Sequence, residues 1–174
     1  EINVRFDRND GVNSNVIFIG ALAIQQAITP STAVTFSSGT LTVNLVGGQD
    51  AAVTSSGGSG GVVQVSIDGT PVSFGTVTPG SVQSIVVNGG SGGNAVDLGS
   101  VSPSSFTNGG GVIVTVNALG GNDSLTGSAF SDTLNGGDGA DSIIGGEGND
   151  LIDGGSGDNQ LFGDAGSDTI SGLF

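Results

Sequence analysis

The sequence predicts an all-β protein built from stacked repeats, and three observations support this fold class. Residues 118–171 repeat every nine residues without an insertion. Residues 39–117 alternate apolar and polar side chains at strand spacing and contain few helix formers. Of the 35 glycines in the chain, 32 lie in these two regions, where they favour turns. A fixed short period is the signature of a solenoid, in which each repeat adds one unit to a continuous stack.

The repeat segment consists of six consecutive nonapeptides. The third and fourth copies, Gly136–Ile144 and Gly145–Asp153, match the pattern G-G-x-G-x-D-x-U-x at every position, where U is aliphatic. The glycines permit tight turns with positive φ. The x-U-x segment that follows predicts a short strand whose aliphatic side chain faces the core. These aliphatic positions are Leu125, Leu134, Ile143, Leu151 or Ile152, Leu161 and Ile170.

The turns of these repeats are rich in oxygen ligands. A glycine turn directs backbone carbonyl oxygens inward and the aspartate adds a carboxylate, which suits a calcium ion that takes about six to eight hard oxygens. Stacked carboxylates would repel one another unless a cation lay between them. A flexible linker and a repeat stack that binds no metal are the alternatives. The candidate ligand residues are Asp123, Asp132, Asp141, Asp150, Asp168 and Asn159, with the turn glycines Gly136, Gly139, Gly145, Gly148, Gly154 and Gly157.

These copies resemble the RTX (repeats-in-toxin) family of calcium-binding nonapeptide repeats over residues 118–174. The resemblance implies a right-handed parallel β-roll or β-helix solenoid with calcium-binding turns, in which two nonapeptides form one coil. It also implies several Ca²⁺ ions, each between loops two repeats apart. The ions would be shared by Asp123 with Asp141, by Asp132 with Asp150, and by Asp150 with Asp168.

Two copies depart from the family pattern. In one, Asn159 places a neutral amide where an aspartate is expected, and Asp158 stands beside it. In the other, Gly127–Asn135, the residues Ser128 and Phe130 replace glycines. We therefore expect this loop to be a poorer ligand, with Phe130 closing the end of the core.

The charge and the missing residue types limit the function. Sixteen acids against two bases give a net charge of −14, which repels nucleic acid and anionic membranes and attracts divalent cations. Without His, Cys, Lys or Tyr the chain cannot build the usual nucleophilic devices. A carboxylate pair for glycoside hydrolysis could still be assembled, but the acids of the repeats are already assigned to turns. We therefore expect that the chain is not an enzyme. As a separate point, no apolar run reaches the length of about 18–20 residues that spans a bilayer.

The central region resembles a degenerate version of the repeats. Its strand-like alternations predict either wider β-coils or a small β-sandwich, with a turn at residues 68–71. Residues 89–97 form another nonapeptide, with Asn94 at the ligand position. Residues 90–95 also satisfy G-x-G-x-x-A, but the following glycines and Pro103 forbid the helix that a dinucleotide site requires.

The N-terminal region differs in composition. Alternating apolar residues at 2–6 and 16–19 around a turn at 9–11 predict a hairpin. Residues 17–28 are almost wholly apolar and predict a buried strand or a short capping helix. The two apolar end segments, 17–28 and 173–174, predict a homo-oligomer or polymer formed through the chain ends, to which Arg5 and Arg8 would add contacts; truncation of a longer protein is the alternative.

The sequence thus predicts three regions: an N-terminal cap or subunit-exchange segment (1–38), degenerate β-coils or a sandwich (39–117), and a calcium-binding roll (118–174). The core is thin, so we expect the fold to require the ions. The predicted function is a non-enzymatic, self-assembling calcium-binding structural protein of a bacterial exterior or cell surface, such as a filament, surface layer or matrix. The alternative is a calcium-triggered folding or secretion module of a larger secreted enzyme or adhesin.

Overall fold

The described part of the chain is all-β, with almost no helix. The computed structural model describes residues 34–56 and 61–172, together with two short strands near the N-terminus, β1 (Ile17–Phe18) and β2 (Ala23–Ile24). Within these residues the helical structure is one 3-10 turn at Pro79–Ser81. The other strands are β3 (Val34–Ser37), β4 (Thr40–Asn44), β5 (Ala51–Ser56), β6 (Val62–Ile67), β7 (Thr70–Val72), β8 (Ser84–Asn88), β9 (Ala95–Asp97), β10 (Ile113–Asn117), β11 (Ser124–Thr126), β12 (Asp132–Asn135), β13 (Ser142–Glu147), β14 (Leu151–Asp153), β15 (Gln160–Ala165) and β16 (Thr169–Ser171).

Residues 33–174 form one compact unit that contains two seven-stranded sheets. The first sheet has the order β16-β14-β12-β10-β8-β4-β3, and the second has the order β15-β13-β11-β9-β5-β6-β7. From β8 and β9 onward, successive strands along the chain alternate between the sheets, so each nonapeptide contributes one strand to one sheet. The sheets are mixed, because the pairs β3–β4, β5–β6 and β6–β7 are antiparallel whereas the others are parallel.

The sequence separation of paired parallel strands is constant in the repeat segment and larger upstream, where it reaches 44 residues between β4 and β8 and 45 between β5 and β9. In the repeat segment Leu125 pairs with Ile143 and Ile143 pairs with Leu161, so partners are separated by two nonapeptides. Upstream, Ile85 pairs with Val114 and Val96 pairs with Leu125, a separation of 29 residues. The two-repeat spacing agrees with the family pattern, and the longer spacing reflects loops inserted between strands of the central region.

Two of the antiparallel pairs, β3–β4 and β6–β7, are closed by two-residue turns. The turn predicted at residues 68–71 is confirmed, since Asp68 and Gly69 join β6 to β7 with φ values of 50° and 71°. Ser38 and Gly39 join β3 to β4 in the same way, with φ values of 50° and 82°. Positive φ at both central residues matches the twist of a tight hairpin.

The core lies between the inward faces of the two sheets. In the repeat segment Leu125, Leu134, Ile143 and Ile152 are buried, as the nonapeptide pattern predicts. Of the two candidates for the fourth aliphatic position, Ile152 is the one that faces the core, whereas Leu151 is 49% exposed. Leu161 is only partly buried and Ile170 is 36% exposed, so burial weakens towards the last repeat. Phe130 is partly buried and packs against the core, which is compatible with its predicted closing role.

Residues 1–32 form a separate compact unit. Its described strands β1 and β2 pair antiparallel, with Ile17 opposite Ile24. This arrangement differs from both the single buried strand and the capping helix expected for residues 17–28, because the apolar stretch contains two short strands that pair with each other. The predicted strand at 2–6, the turn at 9–11, Arg5, Arg8, Leu173 and Phe174 lie outside the described residues.

Candidate calcium-binding turns

The predicted ligand residues form two rows, each at the start of successive strands of one sheet. In the first sheet the row consists of Asp132, Asp150 and Asp168. In the second sheet Asp123, Asp141 and Asn159 stand directly before β11, β13 and β15. Because parallel strands pair at a spacing of two repeats, the structure brings together the same residue pairs that the family resemblance implies.

Except at Asp132, one oxygen of each side chain in these rows is held by a backbone N–H of the neighbouring loop that lies earlier in the chain. The N–H of Asp123 donates to Oδ1 of Asp141 at 2.8 Å, and the N–H of Asp141 donates to Oδ1 of Asn159 at 2.9 Å. In the other row the N–H of Asp132 donates to Asp150 at 2.9 Å, and that of Asp150 donates to Asp168 at 3.0 Å. These bonds fix the direction of each accepting side chain.

The second oxygen of three aspartates is buried and lacks a donor. Oδ2 of Asp123, of Asp141 and of Asp150 is buried without a hydrogen-bond partner. Burial raises the pKa of each of these carboxyl groups above its usual value, and the neighbouring carboxylates raise those of Asp123 and Asp150 further. An ionised oxygen in such a place requires a cation or a proton. The donor set therefore fits calcium, which prefers carboxylate and carbonyl oxygens.

Asp132 differs from the other aspartates because Ser128 satisfies both of its oxygens. The Ser128 hydroxyl donates to Oδ1 at 2.6 Å and its N–H donates to Oδ2 at 2.5 Å. Burial raises the pKa of Asp132 to about 6, although these bonds act in the opposite direction. A carboxylate that already accepts two hydrogen bonds has fewer free lone pairs with which to coordinate a metal. This supports the expectation that the Gly127–Asn135 loop is the poorer ligand.

Asn159 also uses its side chain within the protein. Its Nδ2 donates to the carbonyl oxygen of Gly172 at 2.9 Å, while its Oδ1 accepts the N–H of Asp141. The neighbouring Asp158 is exposed. The amide thus points a donor, rather than a second acceptor, at a backbone carbonyl.

The predicted turn glycines allow successive loops to approach closely. At Gly139 φ is 142°, and a Cβ added there would overlap the carbonyl oxygen of Gly121, which lies in the loop two repeats earlier. Gly148 and Gly157 stand in the same relation to carbonyl oxygens two repeats earlier. At the other three predicted glycines, a Cβ would overlap or crowd the Asp or Asn side chain of the same repeat; these are Gly136, Gly145 and Gly154.

A second row of polar side chains, which the sequence analysis did not single out, lies beside the aspartates. Oδ1 of Asn122 accepts the N–H of Ala140 at 2.9 Å, and Oγ of Ser131 accepts that of Asn149 at 3.0 Å. Oδ1 of Asn149 accepts the N–H of Ser167 at 2.8 Å. The sequence signal was the recurrence of Asn or Ser directly before the aspartate, and these residues join consecutive loops without contributing charge.

Among the described residues, no three acidic side chains converge on one point. A calcium ion between two loops would take the paired carboxylates of those loops, and backbone carbonyl oxygens would complete its shell. The glycine turns supply such carbonyl groups at close spacing.

Comparison with known families agrees with this geometry. The model for the RTX calcium-binding nonapeptide repeat (4 copies) matches residues 117–152 and 144–173. Residues 117–173 are RTX calcium-binding repeats. This stretch, called the RTX segment below, accordingly binds Ca²⁺, with several ions. No curated protein and no solved structure matched the chain.

The position of an aspartate in its row should determine its importance for calcium binding. Asp150 is buried and faces carboxylates two repeats before and after it, whereas Asp168 is only partly buried. We expect Asp150→Ala to lower calcium affinity about tenfold more than Asp168→Ala, a difference of about 1.4 kcal/mol. Isothermal titration measures both. Equal losses in the two variants would contradict ions shared between loops two repeats apart.

Proposed function

We propose that this chain is a non-enzymatic, extracellular structural protein whose RTX segment folds as a right-handed parallel β-roll around calcium ions. The observation that supports this most strongly is the set of buried, unpartnered Oδ2 atoms of Asp123, Asp141 and Asp150. RTX repeats usually occur in secreted bacterial proteins, where calcium is plentiful. No described residues form a helix long and apolar enough to cross a membrane.

The division of the chain follows the same reasoning. Residues 39–117 serve as wider coils that lead into the roll, which the 29-residue spacing of β8 with β10 and of β9 with β11 supports. Residues 118–174 form the roll, and residues 1–38 act as a cap or an exchange segment. Catalysis is not part of the proposal, because each buried aspartate of the roll is bonded to a neighbouring loop.

Self-assembly is the second part of the proposal. The strands β15 and β16 are edge strands of the two sheets, and they present Phe162 (52% exposed) and Ile170 (36% exposed). Exposed edges and apolar side chains together favour pairing with a second chain. Because β15 and β16 belong to the RTX segment, this surface would be ordered only with calcium bound.

Sedimentation tests this part directly. We expect the 174-residue chain to form large species with calcium and to return to monomers in chelator. A variant lacking residues 1–28 should fold with calcium but remain monomeric, since the apolar stretch would be absent. Full-length protein that sediments as a monomer at high concentration with calcium would contradict self-assembly and leave calcium binding intact.

One observation favours the alternative of a calcium-triggered folding module in a larger secreted enzyme or adhesin. The family match covers residues 117–173 alone, about one third of the chain. A repeat module attached to other sequence is what this alternative requires. A monomeric chain that folds with calcium would support it.

A further inference from the structure

The turn at residues 89–94 is built like the calcium turns but carries an asparagine. Asn94 stands directly before β9, in parallel register with Asp123 before β11, and it is 2% exposed. Its N–H donates to Oδ1 of Asp123 at 2.7 Å, as each aspartate N–H does to the next residue of the row. Asn94 therefore occupies the first position of the row that continues with Asp123, Asp141 and Asn159.

The side-chain amide of Asn94 is fully used within the protein. Its Nδ2 donates to the carbonyl oxygen of Gly47 at 3.0 Å and to that of Gln49 at 2.7 Å. Its Oδ1 accepts the N–H of Gly90 at 2.9 Å, which fixes the orientation of the amide. The buried aspartates differ in this respect, because Oδ2 of Asp123, for example, has no partner.

The amide therefore does what a cation would do in the later turns. It draws two backbone carbonyl oxygens of the preceding loop towards the side chain of the row. Two N–H groups directed at those oxygens leave no oxygen cage for calcium, which binds acceptors only. Asn159 repeats the arrangement further along the row by donating to the carbonyl of Gly172.

The surroundings of Asn94 also need no metal. In the first sheet, Nδ2 of Asn88 donates to Oδ1 of Asn44 at 2.8 Å, and Nδ2 of Asn117 donates to Oδ1 of Asn88 at 3.2 Å. This ladder of neutral amides joins β4, β8 and β10 without charge repulsion. Three acids lie between residues 34 and 117, and all three are exposed; they are Asp50, Asp68 and Asp97.

The apolar core is also concentrated in this part. Nineteen of the 24 buried apolar residues of the described core precede residue 118. The RTX segment contributes the other five, against ten acids in residues 118–174. Burial of apolar surface can therefore stabilise residues 34–117. The RTX segment buries too little apolar surface to offset the repulsion between its acidic side chains.

We propose that Asn94 sets the upstream limit of calcium binding and that residues 34–117 form a calcium-independent scaffold. The strands β9 and β10 of this scaffold then offer preformed edges on which β11 and β12 order when calcium binds. The inference rests on the proposed function in one respect, since it takes the aspartate turns to be the calcium sites.

Hydrogen exchange of the wild-type chain tests the scaffold. In chelator, the amides of β8 and β10 should remain protected, whereas those of β13 and β14 should exchange rapidly and regain protection on adding calcium. Protection that is lost in both parts on chelation would overturn the inference while leaving calcium binding in place. A chain that binds no calcium would instead overturn the proposed function.

The variant Asn94→Asp tests the role of the amide. We expect calcium titration to show one additional bound ion, and the protection of β8 and β9 to become dependent on calcium. Asn108→Asp is the matched control, because Nδ2 of Asn108 also donates to two carbonyl oxygens, those of Val82 at 2.6 Å and Gly111 at 2.8 Å, outside the row. The control should gain no ion.

An unchanged number of ions in a folded Asn94→Asp chain, or an equal gain in Asn108→Asp, would overturn the role assigned to Asn94. If Asn94→Asp does not fold at any calcium concentration, Asn94→Ala provides the second measurement. This variant removes the two donors without adding a ligand, so it should weaken β8 and β9 equally with and without calcium. Recovery of their protection by calcium in the alanine variant would contradict the inference.

Discussion

Removing calcium should unfold the RTX segment of this chain. Ten acids and no base lie in residues 118–174, and the buried carboxylates of Asp123, Asp141 and Asp150 have no other partner for Oδ2. Binding free energy then supplies the folding free energy of this segment. Circular dichroism during a calcium titration should show a gain of β signal, with a midpoint on the order of 10⁻⁴–10⁻³ M as in extracellular calcium modules.

Lowering the pH in the presence of chelator provides a control, because the direction in which the stability should change follows from the pKa shifts. Burial raises the pKa of Asp123, Asp141 and Asp150 above its usual value, and it raises that of Asp132 to about 6. The folded state thus holds these protons more tightly than the unfolded state. The contribution of Asp132 to stability is fully present below about pH 4 and is lost as pH rises through about 6. The contributions of the other three aspartates are lost in the same direction, as pH rises.

Without calcium, the RTX segment should therefore recover part of its β signal as pH falls from 7 to about 4. With calcium, the same change in pH should weaken binding, because protons compete for the ligands. A β spectrum that is identical with and without chelator at pH 7 would contradict the calcium requirement. A chelated chain that loses structure on acidification would contradict the burial of the carboxylates.

The sequence predicted the RTX segment in detail because one period determines several levels of its structure. The spacing of nine placed Leu125, Leu134 and Ile143 in the core and brought Asp123 to Asp141, as the structure confirms. The same spacing also favours Ile152 over Leu151, because Ile152 lies nine residues after Ile143. Both residues were candidates because both are aliphatic, and the burial of Ile152 and its pairing with Leu134 show that Ile152 faces inward.

The central region was less predictable because alternation identifies a strand but not its partner. The alternation of Val63, Val65 and Ile67 predicts a strand, yet nothing local shows which strands it pairs with. In the structure β6 pairs antiparallel with both β5 and β7, while β5 pairs parallel with β9. The function of Asn94 was hidden for the same reason. Its two carbonyl acceptors, on Gly47 and Gln49, lie more than 40 residues earlier in the chain.

The glycine spacing of the repeats should be as important as the aspartates. A side chain at Gly139 would combine a φ of 142° with overlap of its Cβ and the carbonyl oxygen of Gly121. Such backbone conformations cost about 1–3 kcal/mol for a residue with a Cβ. A contact with a backbone oxygen cannot be relieved by rotating a side chain, so the loops must separate. Gly139→Ala should therefore destabilise the calcium-bound chain by about 3 kcal/mol or more.

Gly110→Ala is the matched control for this substitution. Gly110 is exposed, and a Cβ added there would meet nothing within 4 Å, so its cost should stay within about 0.5 kcal/mol. Denaturant unfolding at saturating calcium gives both free energies of unfolding. Gly139→Ala should also raise the calcium concentration needed for folding, because the Gly121 and Gly139 loops would be held apart at the turn that precedes Asp123 and Asp141. Equal unfolding midpoints for the two variants would mean that successive loops do not approach as closely as Gly139 and Gly121 do here.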